Sequence, residues 1–324
     1  MYKTARPLFF ACETPLHAGS GTDLGIVDLP VQRERHTGFP KLEGSGVKGC
    51  IREAFEKKKE REGRLIICGK EIREEDKMKK AIELTFGPEE GDKHAGALGF
   101  TDARLLLFPV KSMKGVFAWL TCPRVLERLR RDLALCSVKT DWEVPPANRA
   151  PKDCGLYVRD NKIVLEEYTF TINQDEEKCT TLADRLSGWI FPEGDIHRYW
   201  REKAKKDIVV LSDDDFRDFV SLSTEVVTRT KIDPATGTVA DKSLFTEEYL
   251  PQETVLYSLV LAGPVLSGDK GPFGQDEKSG GGKREEEEDL LDFVAENMPP
   301  VIQLGGNATL GKGLVWTSIC RYWV

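Results

Sequence analysis

Hydrophobic and polar positions alternate in short blocks along this chain, and the blocks predict a mixed set of strands and helices. Leu8-Phe-Phe-Ala-Cys-Glu-Thr14 reads as a first strand ended by Pro15. Val47, Ile51, Ala54 and Phe55 recur at helical spacing, with Ser45 as the predicted N-cap, and residues 70–83 read as a second, charged helical piece. Leu98–Pro109 and Val116–Cys122 read as two strands joined by the Lys111–Gly115 turn. Pro123 then opens a helix whose apolar face is Val125, Leu126, Leu129 and Leu133. Pro145–Pro151 is a loop, and Lys162–Thr171 has the β-rich composition of a strand. The order strand, helix, strand, strand, helix, strand is the ferredoxin-like α+β order, here with long insertions.

In the second half, Ser212 followed by three aspartates predicts a capped helix. A serine cap with acids in the first turn accounts for this run without a metal. Thr228–Tyr249 is polar and carries an Asp233–Gly237 turn signal, which suggests a projecting hairpin. Leu256–Ala262 reads as a buried strand, Gly268–Lys283 as a mobile loop, and Glu285–Met298 as a helix. Val301–Leu304 and Leu314–Val324 complete the set as a short and a closing strand.

Composition narrows the class. With 324 residues and 40% apolar content the chain can bury a sizeable core, and its net charge of −7 argues against coating nucleic acid by bulk positive charge. Eight cysteines never form a Cys-x-x-Cys pair, so zinc fingers and redox motifs are unsupported and reduced thiols are expected. The apolar run Leu8–Cys12 is too short for a signal-peptide core, and no stretch approaches a membrane span. A soluble, cytoplasmic protein is the expectation.

The chemistry concentrates in residues 17–52, which hold seven glycines and two prolines with little periodicity before a helix begins. Gly44-Ser-Gly-Val-Lys-Gly49 matches the dinucleotide fingerprint G-x-G-x-x-G, but no hydrophobic strand precedes it. Gly306–Lys312 matches a phosphate-binding loop until Gly313 replaces the Ser/Thr that would bind magnesium, and eleven residues then leave no room for a nucleotide-binding domain. Both loops nevertheless allow a phosphate near backbone N–H groups, with Lys48 or Lys312 supplying charge. Lys48 and Arg52 sit early in a helix, where cations oppose the dipole, so either an anion sits there or the lysine reaches out to water.

The stretches His17-x-Gly-Ser-Gly21, Val27-Asp-Leu-Pro-Val-Gln-Arg-Glu34, Gly38-Phe-Pro40, Gly44–Arg52 and Gly305-Gly-Asn-Ala-Thr-Leu-Gly-Lys-Gly-Leu314 occur in that order. Together with Gly99–Arg104, Phe117–Pro123 and Thr246-Glu-Glu-Tyr-Leu-Pro251, this set closely resembles the RAMP superfamily. Within it, the similarity is to the backbone subunit of Cmr-type (type III-B) CRISPR effector complexes. Gly46 stands where such loops often carry serine.

The resemblance implies one RAMP domain over residues 1–324, with a ferredoxin-like palm, a thumb hairpin at about 228–251 and a mobile loop at about 268–284. It implies copies stacked along a CRISPR RNA with other Cmr subunits, cutting the paired single-stranded target RNA at regular intervals with a divalent metal, Mg2+ or Mn2+. Asp28 matches the catalytic position and would be base or metal ligand; on its own residues, without the resemblance, it reads first as an Asx-turn or a cap. His17 would be a partner acid or phosphate contact, and Glu247 and Tyr249 would position the splayed nucleotide. Ser45, Lys48, Arg52, Gly306, Asn307 and Lys312 would hold guide-RNA phosphates. Two rivals remain, a non-catalytic RNA-binding backbone subunit and a standalone RAMP nuclease.

Overall fold

Strand β1 (Thr4–Cys12) is buried along almost its whole length, as expected of a strand covered on both faces. The structure, a computed structural model, describes residues 2–22, 25–89, 94–138, 140–240, 243–273 and 285–319. After β1 come β2 (Lys41–Leu42), α1 (Gly44–Glu62), the small hairpin β3 (Leu65–Ile67) and β4 (Lys70–Ile72), and α2 (Glu75–Phe86). β5 (Leu98–Phe100), β6 (Ala103–Lys111), β7 (Phe117–Thr121), α3 (Pro123–Leu135) and β8 (Arg149–Pro151) follow. Next are β9 (Lys162–Leu165), β10 (Tyr168–Thr171), β11 (Asn173–Asp175), α4 (Lys178–Ile190), α5 (Asp195–Lys206), β12 (Ile208–Val210) and α6 (Asp213–Leu222). β13 (Glu225–Arg229), β14 (Phe245–Tyr249), β15 (Val255–Ala262), α7 (Glu286–Asn297), β16 (Val301–Gln303), a 3-10 turn at Ala308–Leu310 and β17 (Leu314–Ile319) end the order.

The main sheet runs β11-β8-β12-β7-β6-β15-β1-β17-β16, with β2 added on β6 and β5 on β15. At its centre β1 runs antiparallel to both β15 and β17, so the first strand lies between two strands from the end of the chain. α7 and α4 both pack on β1, and Phe9 stacks on Trp189 of α4. α1, α2 and α7 share an aromatic cluster in which Phe55 meets Phe86 and Phe293 edge to face. Burying rings of this size is worth about 2–3 kcal/mol each in area removed from water.

Several local readings hold. Pro123 opens α3, the β6–β7 hairpin forms, and Ser212 Oγ accepts from the Asp215 N–H at 3.1 Å to cap α6. The 3.1 Å bond and three first-turn acids explain that helix start without a metal. β13 and β14 pair antiparallel from Glu225↔Tyr249 to Arg229↔Phe245, and the connecting arm turns at Gly237, whose φ is +68°.

Other readings change. Lys162–Thr171 is not one strand of the main sheet but a separate two-stranded hairpin, β9–β10, turning at Glu166 with φ +48°. Residues 70–72 are strand, and α2 begins only at Glu75. The reading of one strand over Leu98–Pro109 is broken into β5 and β6 at Thr101–Asp102. Ser45 does not cap α1: the N-cap is Glu43, and the Gly44 N–H donates instead to Asp102 Oδ1 at 2.9 Å. Gly44 must be glycine here, since a Cβ would lie 2.5 Å from the Phe100 carbonyl oxygen. Of the loop expected at Gly268–Lys283, residues 274–283 lie outside the described residues, as does the closing strand beyond Ile319. No helix is long and apolar enough to cross a membrane, among the described residues.

Candidate functional site

Strand β14 positions two groups of side chains, because successive residues of a strand point to opposite faces. Glu247 and Tyr249 lie on one face, Thr246 and Glu248 on the other. All of Glu247, Glu248 and Tyr249 are buried.

On the first face, Tyr249 donates its hydroxyl to Glu247 Oε2 at 2.6 Å, and Arg229 of the paired strand reaches the same carboxylate oxygen at 2.7 Å and the Tyr249 hydroxyl. Asn307 Nδ2 donates to Glu247 Oε1 at 2.5 Å and to Tyr249 Oη at 3.0 Å. His17 Nε2 lies 3.4 Å from Glu247 Oε1, and its Nδ1 is 2.7 Å from the Glu248 carbonyl oxygen. Lys312 Nζ sits 5.0 Å above the Tyr249 ring, a cation–π distance. Burial opposes the charge on Glu247, but the hydrogen bonds from Tyr249 and Asn307 and the Arg229 guanidinium outweigh this and hold its carboxyl below the ordinary range.

The glycine-rich loop reaches this cluster by clipping onto the segment that carries His17. Gly306 N–H donates to the His17 carbonyl at 2.9 Å and Gly313 N–H to Pro15 at 2.9 Å. At Gly305, φ is +72° and a Cβ would fall 2.3 Å from the His17 carbonyl oxygen, so close backbone approach requires glycine.

On the second face, the loop after residue 25 runs beside β14. Leu29 N–H donates to the Thr246 carbonyl and Glu248 N–H to the Leu29 carbonyl, each at 3.0 Å. Asp28 is exposed, and its Oδ2 accepts from both the Thr246 N–H at 2.7 Å and the Thr246 hydroxyl at 2.8 Å. These two bonds lower the Asp28 pKa from its ordinary value. Glu248 anchors the same loop: it accepts from the Val31 N–H at 2.9 Å, the Thr224 hydroxyl at 2.8 Å and Arg33 at 2.5 Å. Arg33 also donates to the Gly38 and Val220 carbonyls.

The structure thus brings His17, Glu247, Tyr249, Asn307 and Lys312 together and holds Asp28 one residue along the strand, on Thr246. Gly306 joins the cluster through its backbone. Ser45, Lys48 and Arg52 lie apart, on α1. Ser45, Gly46 and Gly49 are exposed and nothing stands within 4 Å of where a Cβ at either glycine would be. Lys48 is half-buried, and burial followed by the nearby Arg52 charge lowers its pKa. Arg52 is engaged by the Gly87 carbonyl at 2.9 Å.

Sequence reasoning missed Arg33, Thr246, Glu248 and Arg229 as parts of the site. Arg33, Thr246 and Glu248 lie in the motifs Val27–Glu34 and Thr246–Pro251, but their partners lie some two hundred residues away. Among the described residues, no three His, Cys, Asp or Glu side chains gather to hold a metal ion.

Residues 9–316 match the RAMP superfamily. The chain is 36% identical over 313 residues to the CRISPR system Cmr endoribonuclease Cmr4 of Pyrococcus furiosus, covering 94% of this chain and 92% of that protein. It resembles the crystal structure of oligomeric Cmr4 from Pyrococcus furiosus with a TM-score of 0.66 and 30% identity over 97% of each chain. A chain of the type III-B Cmr-beta complex bound to cognate target RNA shares the fold with a TM-score of 0.69 at 20% identity, over 98% of each chain. A match of this extent means that the chain belongs to the RAMP superfamily, in the family of Cmr4.

Proposed function

We propose that this chain is an RNA-guided endoribonuclease subunit of a cytoplasmic type III-B CRISPR complex, whose copies stack along a CRISPR RNA beside other Cmr subunits and cut the paired single-stranded target RNA at regular intervals. The observation that carries this reading is Asp28, an exposed carboxylate fixed at the base of the β13–β14 hairpin. The hairpin is read as the thumb, with its arm over about 228–251. The antiparallel order β6-β15-β1-β17, with α1 following β1 and α7 following β15, supports a ferredoxin-like palm whose second and third strands are separated by residues 112–254.

The chemistry needed is modest. The 2′-hydroxyl of a splayed target nucleotide attacks its own phosphorus, the bond to the 5′-oxygen breaks, and a 2′,3′-cyclic phosphate and a 5′-hydroxyl result. A thumb that interrupts the duplex would line up the attacking and leaving oxygens, and such alignment supplies much of the barrier reduction. Asp28 would accept the 2′-hydroxyl proton or hold a metal ion. The described residues offer no closed metal cage. A single exposed carboxylate does fit Mg2+ or Mn2+ shared with RNA phosphate oxygens, and an ion bound there by Asp28 would stabilise developing charge. His17, Glu247 and Tyr249 are buried and mutually bonded, which favours a role in setting the thumb base, and so the splayed nucleotide, rather than in proton transfer.

Guide RNA phosphates would lie against the first turns of α1 and the glycine loop. Two exposed helical glycines with open space around them cost helix stability, and close approach of an RNA backbone gives them a reason. Lys48 and Lys312 would supply the charge, with Ser45, Arg52, Gly306 and Asn307 beside them.

Asp28→Asn tests the reading in a reconstituted guide-loaded complex, since asparagine keeps an oxygen acceptor for Thr246. The expected result is loss of target cutting with assembly and target binding intact. Undiminished cutting would favour the non-catalytic backbone subunit, for which the Asp28–Thr246 bonds serve only as a cap.

A further inference from the structure

A cleft of about 540 Å3 opens on α3, between that helix and the Glu34–Lys41 segment. Six cations line it, Arg35, Lys41, Arg104, Arg124, Arg128 and Arg131, against three acids, in a chain whose net charge is −7. Each acid is already engaged. Asp102 is held by Lys41 and the Gly44 N–H, Glu34 by the Thr37 hydroxyl, and Glu127 by Arg130. Arg104 and Arg128 both bind the buried Asp132 carboxylate, which also accepts from the Tyr257 hydroxyl. Among the described residues, no hydrogen bond or ion pair engages the side chains of Arg35, Arg124 or Arg131, and all three are exposed.

Arg124, Arg128 and Arg131 fall on one face of α3, about 6 and 10 Å apart along the axis from the first. That is the scale of successive phosphates on an RNA strand, and a guanidinium fork suits phosphate oxygens. The cleft offers charge with little stacking surface: of the rings that line it, only His36 is exposed, and it lies beside Glu34. Phe39 is buried edge-on against Phe216, and Tyr257 is buried. Such a surface holds backbone and reads no bases, as a subunit guided by RNA pairing requires.

We infer that this cleft binds phosphates of the target RNA strand on one side of the cut. The inference rests on the RNA-guided reading above. The target rather than the guide is favoured because the wall carrying Arg35 belongs to the same loop as Asp28, anchored by Arg33 and Glu248.

The test uses the guide-loaded complex carrying Asp28→Asn, so that target binding is read without cutting. Arg35→Gln, Arg124→Gln and Arg131→Gln are combined, because none of these side chains supports the fold. The expected result is at least about a tenfold loss of target affinity at low salt and a salt slope shallower by about 2, with guide loading and stacking unchanged. The corresponding triple lysine variant should restore most of the affinity. Equal affinity and slope in the glutamine variant would overturn the inference, as would a loss of guide loading, which assigns the cleft to the guide. Loss of stacking with normal target binding would also overturn it, in favour of an acidic protein surface. A complex with an intact cleft that fails to bind target RNA would sink the RNA-guided reading itself, a result distinct from all of these.

Discussion

Thr246 holds Asp28 with both its backbone N–H and its hydroxyl on a single carboxylate oxygen, at 2.7 and 2.8 Å, while its hydroxyl also accepts from the Asp28 N–H at 3.0 Å. The residue proposed to act on RNA is therefore fixed by the hairpin that would present the RNA. Thr246→Val keeps the backbone bond and removes the hydroxyl. The folded-state pKa of Asp28 is depressed by these bonds, so the variant should raise it toward the ordinary carboxylate value and move the acid limb of the cutting rate to higher pH. A rate loss of roughly three- to tenfold is expected from looser positioning. The pH–rate profile of the reconstituted complex checks both.

Lys48 carries its charge half-buried beside Arg52, and burial lowers its pKa. Guide phosphate at this place should reverse that shift, so binding on the alkaline side of neutrality should take up a proton. Calorimetry of guide binding in buffers of different ionisation enthalpy would show it. Lys48→Ala should abolish the uptake and make the salt slope shallower by about 0.7.

Gly46→Ala and Gly49→Ala place a methyl group in open space on α1 and should stabilise the free chain by about 0.5–1 kcal/mol each. The same variants should weaken guide binding if an RNA backbone lies against that helix. Denaturant midpoints and guide affinity, moving in opposite directions, are the combined readout. Gly44→Ala should lower stability instead, because of the Phe100 carbonyl.

Glu248→Ala removes three hydrogen bonds and leaves Arg33 without its carboxylate inside the loop that carries Asp28. A loss of about 2 kcal/mol or more is expected from urea unfolding. Cutting should fall further than target binding, since the loop holds Asp28 in place.

Local signals were legible where neighbours in sequence decide the outcome. The face Val47, Ile51 and Phe55 is buried, Pro123 opens its helix and Ser212 caps its own. Lys162–Thr171 misled because β-rich composition does not distinguish one strand from two short ones. Its turn also uses Glu166 in the left-handed region rather than glycine or asparagine. The cap of α1 was illegible because Asp102, a distant loop residue, supplies it. Residues of the β14 cluster come from segments around 17, 229, 247 and 307, and no periodicity links such positions. Motif resemblance could name some of them, but not Arg33 or Glu248, whose meaning lies in their pairing across the fold.

Adjacent glutamates on β14 each find a different arginine, Glu247 with Arg229 and Glu248 with Arg33. A slip of this strand by one residue would turn each carboxylate toward the wrong side and strand both guanidinium groups, and it would also detach Asp28 from Thr246. The strand is in effect a key with two differently cut edges that enters its lock in one position only. The described residues between Arg229 and Phe245 lie beyond the lock and bond among themselves, so the arm can change sequence while the carboxylate at its root keeps its place.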